Sequence, residues 1–203
     1  MKLIQFIILS CIICPTGLAT VNSQNLSATG GKTNQVNDNS GYDVLKYKLE
    51  FNSNPESKDF SGKTTVYFKV LNAADQIEFD AENNLEIKEV TYKNQVITNY
   101  KHENKKLKIH LPAEMTLDAT DTISIAFAGD ADQSSGYFAT SVKYDKEFWV
   151  SYTFSQYKGT AASWWVCKDG LTDKADEVEL HITHPSSYKA VANGLLTSKN
   201  DNK

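Results

Sequence analysis

Alternation of apolar and polar residues with a period of two recurs along this chain from residue 42 onward. It restricts the fold more than any other feature. Leu45, Tyr47, Leu49 and Phe51 share one face of an extended segment, and Val66, Phe68 and Val70 repeat the pattern after a loop expected to contain Pro55 and Gly62. Ile77 with Phe79, Leu85 with Ile87, and Val90 with Tyr92 follow as shorter runs. Leu107, Ile109 and Leu111 alternate up to Pro112; Ile123, Ile125 and Phe127 up to Gly129; Val178, Leu180 and Ile182 up to Pro185. Successive side chains of a strand point to opposite faces, so each run reads as a half-buried strand, and turn residues at short intervals read as antiparallel connections. Lys93-Asn94, between Tyr92 and Val96, is expected to form a tight hairpin although it lacks the glycine that usually marks one. No helical stripe exceeds two turns. The expected fold is mostly β, an antiparallel two-layer sandwich or saddle. Tyr188 to Leu196 is expected to be a strand after a hairpin at Pro185-Ser186-Ser187. The polar stretch from Ser198 to Lys203 leaves that strand without a neighbour, which reads equally as an uncovered edge or as an ordinary frayed terminus.

The 203 residues suit one domain or two small ones. Residues 1–23 read as a signal peptide: Lys2 gives a positive start, Leu3 to Cys14 is apolar apart from Gln5 and Ser10, and the run is shorter than the ~20 residues that span a bilayer. A lipoprotein reading through Cys11 fits poorly, because Leu9 is bulky and the motif comes early. Residues 24–41, rich in Asn, Ser, Thr and Gly, read as a flexible linker, and 42–203 as the folded domain. The expected location is periplasmic or extracellular, with no transmembrane segment once the leader is removed. Loss of Cys11 and Cys14 with the leader would leave Cys167 alone, without a disulfide and set among aromatic residues as a small buried hydrophobe.

Charge and composition exclude several function classes. The formal net charge is -4 and all 21 basic residues are lysine, so neither a basic face nor the guanidinium fork that reads phosphate and guanine is available for nucleic acid. His181 and His184 are three residues apart on a strand and face opposite sides, whereas zinc needs three or four converging ligands; His102 and His110 show no ligand pattern. The sequence contains no His-Glu-x-x-His, no phosphate-cradling glycine loop and no nucleophile elbow. Asp169, Asp173, Asp176, Glu177 and Glu179, interspersed with Lys168 and Lys174, read as a solvated charged face. The chain by itself is expected to bind no metal or cofactor and to hold no catalytic residue.

The segment WWVCKDGLTDKADEVELHITHPSSYKAVANGLL, residues 164 to 196, resembles the end of the N-terminal β domain of zinc aminopeptidases of the aminopeptidase N family, in the form common in Bacteroidetes. Trp164, Trp165, Cys167, Asp169, Lys174, Ala175, Pro185, Asn193 and Gly194 fall in register with the family pattern. Residues 42–51, 60–70, 107–112 and 121–130 are similar to its earlier strands. The resemblance implies that the two tryptophans pack the domain where it meets the rest of the enzyme. It also implies that Gln156 contacts the amino end of a bound peptide. Here one extra residue separates Gln156 from Trp164, and Val166 stands where the family has proline. The family's zinc site and its Gly-x-Met-Glu-Asn loop belong to a catalytic domain after the β domain, and neither motif occurs in these residues. The resemblance also implies that the β domain is missing its last strands here.

The resemblance therefore implies the N-terminal, non-catalytic domain or fragment of an exported zinc metallo-aminopeptidase, with zinc and the peptide substrate belonging to the full-length family. A stand-alone secreted β sandwich that binds peptides or glycans is the alternative. A domain that pairs with a separately encoded catalytic chain is the third reading.

Overall fold

The computed structural model describes residues 40–131, 138–144, 148–153, 161–170 and 173–199. The expected leader, Cys11 and almost all of the linker lie outside these residues. Eleven strands appear: β1 Tyr42–Ser53, β2 Asp59–Val70, β3 Gln76–Asp80, β4 Leu85–Tyr92, β5 Gln95–Val96, β6 Tyr100–Glu103, β7 Lys106–His110, β8 Thr120–Asp130, β9 Phe138–Tyr144, β10 Phe148–Thr153 and β11 Glu177–Thr183. A six-stranded sheet runs in the order β11-β1-β2-β8-β4-β5, a three-stranded sheet in the order β3-β7-β6, and β9 pairs with β10.

The two larger sheets face each other across one apolar core. Leu49, Phe51, Val66, Phe68, Ile123, Ile125 and Phe127 fill it from the six-stranded sheet, and Ile77, Phe79, Leu107 and Ile109 from the smaller one. The Tyr42 ring bridges the layers. It lies 5.6 Å from both Phe68 and Phe79, and its hydroxyl donates to the Glu78 carbonyl at 2.6 Å. The β sandwich expected from the alternation is thus present.

Two bulges change the side-chain parity that simple alternation implies. Between Val44 and Lys46 the register of β1 against β2 shifts, and Leu45 occupies the irregular position. Tyr42 and Val44 therefore face the core together with Tyr47, Leu49 and Phe51, whereas the sequence pattern placed Leu45 in that set. An extra residue in one strand reverses the sides on which residues before and after it point. A second bulge between Ile87 and Glu89 joins Leu85–Ile87 and Val90–Tyr92, which read as separate runs, into the single strand β4.

Gly62 belongs to β2, not to the preceding loop. It sits opposite Phe127 on β8, and Gly129 on β8 sits opposite Phe60 on β2. A Cβ at Gly62 would lie 2.6 Å from Phe127 Cζ, and one at Gly129 would lie 2.4 Å from Phe60 Cζ. Each glycine leaves the space that the partner strand's ring fills, so two weak strand formers become part of the packing.

Turns form largely as the sequence implies. Lys93 and Asn94 both have positive φ, 48° and 60°, as do Asn104 and Lys105, 53° and 62°. Paired positive angles are the signature of hairpin turns whose twist matches the strands. At the C-terminal end the expectation fails. The turn after Pro185 forms, with the Tyr188 N–H donating to the Pro185 carbonyl at 3.0 Å, but no strand follows. Tyr188 turns its hydroxyl to Glu56 at 2.5 Å, Gly194 adopts φ 105°, and Leu195 and Leu196 are 94% and 86% exposed. The strand that ends this region is β11, and it runs parallel to β1, which makes the large sheet mixed.

Candidate functional site

Residues 161–169 are held against β1, β3 and the chain after β3 by backbone and side-chain hydrogen bonds. A short 3-10 turn spans Ala161–Ser163. The N–H groups of Trp164 and Trp165 both donate to the Ala161 carbonyl, at 3.1 and 3.3 Å. The turn is tied to the chain after β3: the Glu82 N–H donates to the Ala162 carbonyl at 2.9 Å, and Asn84 Nδ2 to the Ser163 carbonyl at 3.0 Å. Cys167 then forms a two-bond bridge with Asp80, with N–O distances of 2.7 and 3.1 Å.

This path decides where the tryptophans go. Trp164 is buried and meets Phe51 edge-on at 5.4 Å. Trp165 is half-buried, 5.8 Å from Trp164 and edge-on to Tyr47 at 4.9 Å. Its indole Nε1 is buried without a partner among the described residues. Val166 and Cys167 are buried as well, and Cys167 is the residue bonded to β3. Both tryptophans pack against aromatic rings of β1 within this domain.

The charges that follow are not a uniformly solvated face, which corrects the sequence reading. The side chains of Lys168 and Asp173 are only 9% and 7% exposed and form an ion pair. Lys168 Nζ also donates to the Tyr42 carbonyl at 2.8 Å and lies 4.5 Å from the Tyr42 ring centre. Asp173 Oδ2 accepts the Val44 N–H at 3.1 Å, and the Lys168 N–H donates to the Tyr47 hydroxyl at 3.0 Å. Asp169 reaches in both directions: its N–H donates to Asp80 Oδ2 at 2.9 Å, and its Oδ2 accepts the Ala162 N–H at 3.0 Å. A buried charge requires such partners, because desolvation costs more than an isolated pair returns. Glu177 and Glu179, by contrast, do lie on the surface.

The electrostatics match a structural clasp rather than a reactive centre. Burial, followed by the charges of Asp169 and Asp80, pushes the Cys167 thiol well above its usual range, which keeps it protonated and a poor nucleophile. Burial likewise raises the Tyr47 hydroxyl. Burial first, then the nearby Asp173, raises the Asp43 carboxyl. The histidines stay apart: His102 Nε2 bonds the Ala81 carbonyl at 2.9 Å, His181 pairs with Glu179 at 2.5 Å, and His184 Nδ1 bonds the Pro185 carbonyl at 2.9 Å. Among the described residues, no group of three or more His, Cys, Asp and Glu side chains is arranged to hold a metal ion. Gln156 lies outside the described residues.

Sequence reading placed Tyr47 on the inner face but missed the role of its hydroxyl, and it missed Tyr42, Asp80 and the buried role of Lys168 and Asp173. A faint signal existed for the tyrosines. A Tyr on the inner face of a strand brings a hydroxyl into the core, and that hydroxyl needs a partner.

With this geometry established, likeness to known proteins can be stated. A family model described as the Peptidase M1 N-terminal domain matches residues 44–203. No curated protein matches at a significant level. Among solved structures, the M1 zinc metallopeptidase from Deinococcus radiodurans is similar with a TM-score of 0.67 and 23% identity, over 80% of this chain and 37% of that one. A mutant M1 zinc metallopeptidase from the same organism gives 0.68 at 21% identity, and its complex with a Tyr-Ser-Ala substrate gives 0.66 at 21%, with the same coverage. The chain thus spans 37% of the length of these structures, and at such identities the likeness is one of fold.

Proposed function

The chain belongs to the Peptidase M1 N-terminal domain family, and on that footing we propose that it serves as the non-catalytic N-terminal domain of an exported zinc aminopeptidase. The observation that carries this reading is the family match across residues 44–203, which takes in every described strand after the first two residues of β1. The clasp supports it. A loop carrying two tryptophans, an inert thiol and a neutralised lysine has the chemistry of a packing element. Residues Met1 to Cys14 support export as a leader. Among the described residues no helix is long and apolar enough to cross a membrane.

The zinc named in the similar metallopeptidases does not fit the side chains described. His102, His181 and His184 bond separate partners, Cys167 is held protonated, and the carboxylates of Asp80, Asp169 and Asp173 are each committed to an N–H or a lysine. No step of metal chemistry is routed through these residues. In the proposed role the domain positions other parts of the enzyme and, through Gln156, the amino end of a peptide.

The test is an assay of the purified 203-residue chain with alanyl and leucyl chromogenic amides, with added zinc and with chelator, alongside metal analysis after dialysis. No turnover above buffer and no stoichiometric zinc are expected. Chelator-sensitive turnover, or one tightly held zinc per chain, would overturn the reading.

A further inference from the structure

β1 pairs with β11 only from Lys46 onward. Before that point its edge is met largely by side chains. Lys168 Nζ donates to the Tyr42 carbonyl at 2.8 Å, Asp173 Oδ2 accepts the Val44 N–H at 3.1 Å, and the Asp176 N–H donates to the Leu45 carbonyl at 2.9 Å. The ammonium and the carboxylate, paired with each other, stand where a neighbouring strand would supply a donor and an acceptor. One further group touches this side-chain rung. The Asp43 carboxyl is hydrogen-bonded to that of Asp173. Two ionised carboxylates offer only acceptors, so a bond between them exists only while one of them carries a proton. Asp173 already accepts from Lys168 and Val44, so the proton belongs to Asp43.

We propose that Asp43 is a proton-operated catch on the clasp: its protonated carboxyl donates to Asp173 and tightens residues 168–176 onto β1, and its ionised form leaves Asp173 and turns to Lys69 on β2. The neighbouring charges define both positions. On the clasp side Asp43 meets Asp173, Lys168 and Asp176, two carboxylates against one ammonium that is already paired. Behind them the Tyr47 hydroxyl is kept neutral by burial and accepts the Lys168 N–H. The other charges nearby are engaged elsewhere or exposed: Asp80 of β3 bonds Lys106 and the Asp169 N–H, Glu177 of β11 bonds Lys46, and Lys174 is exposed. On the sheet side Asp43 is the direct register partner of Lys69, whose ammonium bonds the exposed Asp118 at 2.9 Å. Side chains directly opposite in an antiparallel pair lie within reach, and opposite charges there attract. An ionised Asp43 is therefore repelled from the clasp and drawn to β2, whereas a neutral one is not. Burial, then the charge of Asp173 and the bond to it, keeps the proton on Asp43 to higher pH than on a free aspartate, with Lys168 acting against them. The added stability is complete below the ordinary value of 3.8 and is lost as pH rises through the folded value. Every group involved lies between residues 42 and 176, and the catch stands apart from the peptidase reading, since it needs only the geometry of the clasp.

Hydrogen exchange of the 203-residue chain, followed by NMR from below the ordinary aspartate value up to neutrality, provides the first test. The Val44 and Asp176 amides report on the catch, and amides of the β2–β8 ladder serve as the reference. After correction for intrinsic rates, opening at Val44 and Asp176 should rise several-fold with pH while the reference stays level. Asp43→Asn, whose amide can donate to Asp173 at any pH, should keep both amides protected throughout. Asp43→Ala should leave both fast throughout. Lys69→Ala should move the rise to higher pH, because the ionised carboxyl loses its second partner. A carboxyl-carbon titration of the unaltered chain needs no variant to fold: Asp43 should titrate above 3.8, and the Asp173 carbon should sense the same midpoint. Asp43 titrating at its ordinary value would overturn the proposal. So would the absence of a rise, a rise shared by the reference amides, one that Asp43→Asn retains, or one that Lys69→Ala leaves in place.

Discussion

Two clusters each pair a lysine with carboxylates from the stretch 173–179, yet they do opposite things. Lys168 and Asp173 are held inside, each with additional hydrogen bonds to the backbone of β1. Lys46, Glu177, Glu179 and His181 form a ladder across the surface of β11 and β1. The inner pair fastens a loop with little regular secondary structure of its own, and removing either partner would strand a charge in a poorly solvated site. The outer ladder decorates strands whose backbone bonds and apolar row already hold them in place. An ion pair's worth therefore depends on what its neighbours leave it to do, and sequence proximity says little about that.

The comparison breaks most readily at the tryptophans that seat the inner loop. Trp164→Ala should cost ~3–5 kcal/mol, the range for removing a buried aromatic side chain, and a urea melt of the variant would show it as near-complete loss of the folded state. Trp165→Ala should cost less, because that side chain is only partly buried and its indole N–H has no bond to lose among the described residues. Equal losses at the two positions would mean that the loop is anchored otherwise.

Next in size is the contrast between the ion pairs themselves. Lys168→Ala should destabilise by ~3–5 kcal/mol, the usual cost of leaving a buried charge without its partner. The double variant Lys168→Met with Asp173→Leu should recover part of that loss. Lys46→Ala should leave the melt almost where it was. Chemical denaturation of the three variants side by side measures the difference, and a large loss at Lys46 would undo the distinction drawn here.

A smaller effect concerns thiol access. Burial keeps the Cys167 thiol neutral and out of reach, so alkylation followed by mass analysis of its peptide should show protection in the native protein and full labelling in denaturant. Rapid native labelling would show that the inner loop opens often.

The smallest effects are those of acid, and their signs differ between the two regions. Hydrogen bonds from Lys46 and then His181 lower the Glu179 carboxyl to about 2. A group lowered on folding stabilises above its ordinary value, near 4.5, and that contribution fades as pH falls toward about 2. Asp43, raised by burial and then by Asp173, behaves in reverse: its contribution is present below its ordinary value, near 3.8, and is lost as pH rises through its folded value. Hydrogen exchange across this range should therefore show β11 loosening in acid while the Val44 amide, bonded to Asp173, does not loosen with it. Parallel loosening of both regions would remove the contrast.

Most strands were legible because a half-buried strand repeats every two residues regardless of what it packs against. Ile123, Ile125 and Phe127 announced β8, and Lys93-Asn94 announced its hairpin even without glycine. The burial of Cys167 was readable for a similar reason, since it sits in a run of large apolar neighbours. The same logic failed at Tyr188 to Leu196, where mixed small and apolar residues imitate a strand but no alternating apolar row drives one. Of the candidate site, the tryptophan loop was legible through its family likeness, whereas the clasp around it was not.

What the amino-acid order determined by itself is what depends on near neighbours: strand periodicity, tight turns, a β-rich class and the exclusion of an arginine-based or basic binding face. Tertiary structure alone decided the bulge at Leu45 that turns Tyr42 and Val44 inward, the fit of Phe60 against Gly129, the parallel pairing of β11 with β1, and the burial of Lys168 against Asp173. Each of these depends on residues far apart in the chain; Lys168 and the Tyr42 carbonyl that it bonds are 126 positions apart. Whether a charge is solvated or enclosed is a property of the space around it, and that space exists only once the sheets have closed over it.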